Sequence, residues 1–117
     1  MPSIEPTELE LELRRRLTPL LDSGIKLIVV ETIDSTNKQL KAQAVSSNQT
    51  LLLACEQTAG VGRRGSLWQS PPAGNLYLSY CVHSGRPLSE LSLWSLGVTV
   101  AVADALEREL SLECKIK

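Results

Sequence analysis

The spacing of apolar positions changes several times along the chain, and each change predicts an element. Leu9, Leu13, Leu17, Leu20 and Leu21 recur at helical intervals. Thr7 is placed to cap this helix, with Glu10 three residues on completing a capping box, and Pro19 predicts an end between Thr18 and Leu21. Asp22-Ser23-Gly24 is a turn, and the β-branched run Lys26–Thr32 predicts a strand. Asp34-Ser35-Thr36-Asn37 is dense in capping side chains, and Lys38–Val45 follows with good helix formers. Thr50–Gln57 reads as a buried strand. Thr58–Asn75 has no regular period and predicts a long loop. Leu76–Val82 predicts another strand. Leu91, Trp94, Val98, Val102, Leu106 and Leu110 predict one long helix from about Leu88 to Leu110. Alternation at Leu112, Cys114 and Ile116 predicts a strand over Ser111–Lys117. This order implies an α/β or α+β domain around one sheet.

Composition narrows the class. At 117 residues and 12.8 kDa the chain fits one small domain. There is no Phe, and the aromatics are Trp68, Trp94, Tyr77 and Tyr80, so Leu, Val, Ile and Ala must build the core. A net charge of −1 gives no bulk attraction to nucleic acid or an anionic membrane. Arg14-Arg15-Arg16 is expected to be a solvated face balancing Glu8, Glu10 and Glu12 at i,i+4 rather than a DNA contact. The longest apolar runs, Leu27–Val30 and Leu51–Cys55, are too short to span a bilayer, and the acidic N-terminus does not read as a signal peptide. Cys55, Cys81 and Cys114 are widely spaced and read as reduced core thiols of a cytosolic protein, not a disulfide framework or zinc site. His83, the one histidine, follows a strand at a turn and reads as a surface residue rather than a base.

Candidate chemistry concentrates where the period fails. Gly60, Gly62, Gly65 and Gly74 permit unusual backbone angles and close approach to a ligand. Arg63 and Arg64 add two fixed positive charges, and no acidic residue occurs from Thr58 to Ser89. A glycine-rich loop with arginines and no counter-charge suits phosphate or carboxylate. The Gly-Lys-Ser/Thr ending of a Walker A loop is absent. A dinucleotide fingerprint is excluded as well, because Arg63-Arg64 would crowd the pyrophosphate turn and no helix follows. Asp34-Ser35-Thr36-Asn37 is sufficiently explained as a helix cap, and its hydroxyls and N–H groups are also suited to a polar ligand.

Taken together, Asp34-Ser35-Thr36-Asn37, the run from Glu56-Gln57-Thr58-Ala59-Gly60 through Val61-Gly62-Arg63-Arg64-Gly65 to Ser66-Leu67-Trp68, then Ser70-Pro71 and Asn75-Leu76-Tyr77-Leu78-Ser79 resemble the biotin protein ligase family. The resemblance runs from about Ile25 to Lys117. It implies an α+β fold, a mixed central sheet flanked by helices, of the class II aminoacyl-tRNA synthetase-like biotin/lipoate ligase kind. It further implies ATP-dependent activation of biotin to biotinyl-5′-AMP, with Mg²⁺ held by the phosphates, and transfer to a lysine of a biotin carboxyl carrier protein. By position, Ser35, Thr36, Asn37, Gln57 and Ser79 correspond to the biotin site, Gly60, Gly62 and Gly65 to the ligand loop, and Trp68 to its apolar wall. Arg63 corresponds to the catalytic arginine at the carboxylate and phosphate, Arg64 to its assistant, and Lys117 to the catalytic lysine opening the family's Lys-Trp-Pro-Asn-Asp motif.

The chain departs from the family pattern at Val61 and Ser66, where the family usually carries basic residues; Val61 removes five donors and a charge. The resemblance also implies that 1–24 is an N-terminal helical segment without a complete winged helix, hence without DNA binding by this chain. Residues 25–117 would be the N-terminal half of the catalytic domain, truncated, and weak or inactive alone. A cytoplasmic location, no membrane contact and a homodimer as candidate assembly complete the expectations. The alternatives are a lipoate or octanoate ligase or transferase relative, which the Gly-Arg-Arg-Gly…Trp loop disfavours, and a non-catalytic biotin-binding remnant.

Overall fold

The computed structural model describes residues 6–43, 49–72 and 74–116. They divide into two compact units, 1–83 and 84–117.

The first unit is built on a parallel crossover. Strand β1 (Lys26–Ile33) leads through helix α3 (Thr36–Ala42) into strand β2 (Thr50–Val61). The two strands pair from Lys26↔Thr50 to Ile33↔Gln57. The other edge of β2 is shared by two antiparallel partners. Strand β4 (Tyr77–Cys81) pairs with its first part, from Thr50↔Cys81 to Ala54↔Tyr77, and β3 (Leu67–Ser70) with its second. The continuous apolar run Leu51-Leu52-Leu53-Ala54-Cys55 suits a strand bonded on both edges. Leu27, Leu40, Leu52, Leu53 and Ala54 form the buried core. Removing a leucine of this kind from water contributes about 1.5–3 kcal/mol.

The segment 58–75 is not one long loop. Strand β2 continues to Val61, Gly62–Ser66 turns, and β3 returns as a hairpin, with Gly62 N–H donating to Ser66 O at 2.6 Å. Backbone pairing holds this hairpin, so its side chains carry no alternation to read.

The N-terminal helix divides in two, α1 (Pro6–Arg16) and α2 (Thr18–Asp22). Pro19 sits in the first turn of α2, where its missing N–H is one that helix starts leave unpaired anyway. It opens the second helix instead of closing the first. Thr7 lies inside α1 rather than capping it, and position 5 lies outside the described residues. Glu10 bonds Arg14, not a cap N–H. The arginines do balance acids, as Arg14–Glu10 and Arg16–Glu12 at i,i+4 and Arg15–Glu12 at i,i+3; Glu8 joins none of these pairs. Arg14 also donates to Leu27 O at 3.1 Å, tying α1 to β1. The C-terminal part of the Lys38–Val45 helix expectation, at Ala44 and Val45, lies outside the described residues.

In the second unit the long helix is interrupted. A single 3₁₀ turn, Leu88–Glu90, precedes α4 (Trp94–Leu110). An 18-residue stretch within Leu88–Leu110 reaches a mean hydropathy of 1.2, enough by length and composition to cross a membrane, although no contiguous apolar run in it is long. Its last turns carry an Asp104–Arg108 ion pair at 3.1 Å. The strand expected over 111–117 does not form among the described residues. Ser111 takes a left-handed conformation at φ 53°, and Cys114 N–H turns back to Glu107 Oε1 at 3.2 Å. Lys117 lies outside the described residues. All three cysteines are free thiols, half-buried.

Glu12, bonded by Arg15 and Arg16, has its carboxyl pKa lowered from 4.5 to about 2. Its contribution is present above the ordinary carboxylate range and is lost as pH falls from there through about 2. We expect Glu12→Gln to remove one component of the helix signal lost between pH 5 and pH 2, a range bracketing both values. Superimposable far-ultraviolet circular dichroism titrations of the two chains would contradict this.

Candidate functional site

The site grows from the junction of β1 with α3. Asp34 ends the strand with its side chain engaged: Oδ1 accepts from Ser35 N–H at 2.6 Å and Gln39 Nε2 at 3.0 Å. The Gln39 bond, then the Ser35 bond, hold its carboxyl below the usual range. Ser35 caps α3, its Oγ accepting from Lys38 N–H at 3.3 Å. Neither Thr36 N–H nor Lys38 N–H remains for a ligand, because Gln57 Oε1 takes the first at 2.9 Å.

The same junction is tied to the hairpin by a bulge. Gln57 pairs with Ser70 and Gly60 with Trp68, so three steps on β2 oppose two on β3. Such an extra residue cannot complete the ladder. Ala59 N–H donates instead to Asp34 O at 2.8 Å.

Between junction and hairpin lies a polar cluster. Thr36 Oγ1 donates to Gln57 Oε1 at 3.1 Å and lies 2.8 Å from Ser79 Oγ. Gln57 Nε2 donates to Ser70 Oγ at 3.3 Å. Ser35, Thr36 and Ser70 are buried. Of the residues expected at the biotin site, Thr36, Gln57 and Ser79 therefore meet directly, and Ser35 adjoins them as the cap. Asn37 is exposed, and no contact joins it to the cluster.

The hairpin supplies the rim. A Cβ on Gly60 would lie 3.1 Å from both Gln57 Nε2 and Ser70 Oγ, and 3.3 Å from Trp68 Cβ. A Cβ on Gly62 would overlap the Trp68 indole, with Cδ1 only 2.9 Å away. The ring thus lies across bare backbone at Gly62 and stays largely exposed, forming a wall rather than core packing. Gln57, Gly60, Trp68, Ser70 and Pro71 help line a cavity of about 490 Å³. At the turn Arg64 is left-handed, φ 58° and ψ 30°, followed by Gly65 at φ 76°. For a non-glycine residue that conformation costs on the order of 1–2 kcal/mol. Arg63 and Arg64 are exposed, and their side chains take no hydrogen bond or ion pair among the described residues, while the Arg63 carbonyl accepts from Ser66 N–H at 3.2 Å. Val61 pairs across the hairpin with Leu67, so the tip carries an exposed apolar pair.

Two contributors escaped the sequence reading. Ser70 entered only as part of a motif, because nothing in the sequence marks 67–70 as a strand that would set it on the face of Trp68. The Asp34 carbonyl acts through backbone and leaves no residue-type signal.

A polar inner wall, an aromatic side and a cationic turn thus stand on one mixed sheet of an α+β domain. A model described as the Biotin/lipoate A/B protein ligase family matches residues 29–117, and the chain belongs to that family. It is 31% identical over 98 residues to the bifunctional ligase/repressor BirA of Bacillus spizizenii, and 36% over 96 residues to that of Salmonella typhimurium. Each match covers 80% of this chain, which spans about 30% of the length of these relatives. The biotin protein ligase of Aquifex aeolicus, solved with biotin and ATP, superposes at a TM-score of 0.62 with 33% identity, over 78% of this chain and 38% of that one. The Leishmania major ligase, solved with biotin, gives 0.58 and 27%, over 73% and 34%. These likenesses agree with the mixed-sheet α+β fold expected.

Thr36→Val removes the hydroxyl between Gln57 and Ser79 while keeping its volume. We expect a loss of about 1–3 kcal/mol in urea unfolding, against less than about 0.5 kcal/mol for exposed Asn37→Ala. Equal stability of the two variants would show that the Thr36 bonds carry no net weight.

Proposed function

We propose that this chain carries the substrate end of a biotin protein ligase. Its inner wall takes the ureido head of biotin, and its cationic turn takes the carboxylate and the ATP phosphates. The single observation that carries this reading is one cavity with Gln57, Gly60, Trp68 and Ser70 in its wall, at the foot of a turn bearing two unpaired arginines. Family membership and the likeness to a ligase solved with biotin and ATP support it.

The chemistry asks for such a rim. A biotin carboxylate oxygen attacks the α-phosphorus of ATP, and the bond to the bridging oxygen breaks as pyrophosphate leaves. Two anions must approach, and preorganised cations lower that barrier. Arg63 is assigned to the carboxylate and α-phosphate, with Arg64 beside it and Trp68 against the apolar part of biotin. In the second step a carrier lysine amine attacks the acyl carbon. AMP departs with the bonding pair, and the nitrogen loses its proton. The mixed anhydride is already activated, so no protein nucleophile is needed, and the hairpin's part is to shield it from water. In this reading the nucleotide's phosphates would carry the Mg²⁺. Ser35, Thr36 and Ser79 act behind Gln57, and Lys117 joins the carboxyl and phosphate oxygens by its place in the family motif. We read α4 as a helix of the ligase domain and the protein as cytoplasmic, with a carrier domain as partner.

Titration calorimetry with the 117-residue chain tests this. Biotin should bind and lipoate should not. Arg63→Ala, which removes the cation assigned to both the biotin carboxylate and the α-phosphate, should weaken biotin and a non-hydrolysable biotinyl-5′-AMP analogue at least about tenfold each. Equal binding of lipoate, or an unchanged analogue affinity, would sink the proposal.

A further inference from the structure

The chain runs twice along one edge of β2 and leaves that edge in between. Strand β3 ends with Ser70 opposite Gln57, and β4 begins with Tyr77 opposite Ala54. The seven steps from 70 to 77 thus face three steps of β2, a span that an extended strand covers in about 10 Å. The surplus has to leave the sheet, and it departs at Pro71 and Pro72, neither of which has an N–H for a ladder. Each ring holds φ near about −65°, and a residue before proline is confined to extended angles, so the two rings move as one stiff unit. Both prolines line the cavity, yet both are exposed, so little packing holds them. What does hold them is the returning strand: the Tyr77 hydroxyl donates to the Pro71 carbonyl at 2.9 Å. That carbonyl lies between the two rings, and one bond to it fixes both. By alternation Tyr77 shares the strand face of Ser79, and among the described residues it is not part of the cavity wall.

We infer that Tyr77 is a positioning residue for the ligand: its hydroxyl holds Pro71 and Pro72 as a preformed wall of the cavity. This rests on the biotin reading above, in which that wall meets the apolar part of biotin alongside Trp68. Without the bond the proline pair is still stiff within itself but swings about its ends, and a ligand has to order it on binding. That ordering cost is subtracted from the affinity. The bond is made in the free chain, so Tyr77 acts through preorganisation and not through a contact of its own with the ligand.

Titration calorimetry with biotin on the whole chain tests this in two backgrounds. Tyr77→Phe removes only the hydroxyl and should weaken biotin about threefold to tenfold. In a chain carrying Pro71→Ala and Pro72→Ala the stiff wall is gone, and adding Tyr77→Phe there should change biotin less than about twofold. A hydroxyl that only stabilised the fold would lower the melting temperature and leave the biotin affinity of the folded chain unchanged. One that touched biotin would weaken it by the same factor in both backgrounds. Either result overturns the inference and leaves the biotin reading standing. Circular dichroism melting confirms folding of each variant. If Tyr77→Phe does not fold, Tyr77→Leu, which also lacks the hydroxyl, reads the same pair of ratios. Failure of the unaltered chain to bind biotin overturns that reading and this inference with it.

Discussion

Strand β2 uses the hydrogen-bonding capacity of both its edges, and the candidate site depends on where that use is interrupted. Along its first part it is bonded to β1 on one side and β4 on the other. Beyond Gln57 the ladder with β3 slips by one residue. A backbone donor freed in this way must find another acceptor, because an unpaired one costs about 1–3 kcal/mol. Ala59 N–H finds the Asp34 carbonyl. That bond brings the turn before α3 against the base of the hairpin and sets the distance at which Thr36 meets Gln57.

The polar cluster is tolerated for a related reason. Buried hydroxyls and amides destabilise a domain when left unsatisfied, and a small leucine core has little surplus with which to offset them. Here every buried side-chain nitrogen and oxygen among the described residues has a partner. The chain of bonds from Ser79 to Ser70 therefore costs little in the folded state. The arginines meet the opposite condition: placed on an exposed turn, they keep their hydration.

Much of this was legible in the residues. The crossover β1–α3–β2 was visible because β-branched and capping residues occur in blocks. The glycine and arginine turn was visible because Gly60, Gly62 and Gly65 have no apolar period to serve. What the chain hid follows from backbone rather than side chains. The hairpin was read as a loop because its ladder is made by peptide groups. Pro19 was read as an end because the sequence does not distinguish a proline that stops one helix from one that starts the next. The strand expected at 111–117 had the right alternation, but among the described residues no neighbouring strand pairs with it. Of the expected binding residues, Thr36, Gln57 and Ser79 converge, while Asn37 does not.

The bulge also gives the hairpin a reading frame. Side chains on a strand alternate between faces, so the single extra residue at 58–59 decides which face of the sheet receives everything beyond it. Deleting one residue there would regularise the ladder and send the faces of Gly60 and Val61 to opposite sides relative to Gln57. Adding one would do the same. The length of this short stretch, more than the identity of Thr58 or Ala59, is thus the quantity that mutation cannot change freely: substitutions are absorbed locally, whereas an insertion or deletion acts as a frameshift in three dimensions.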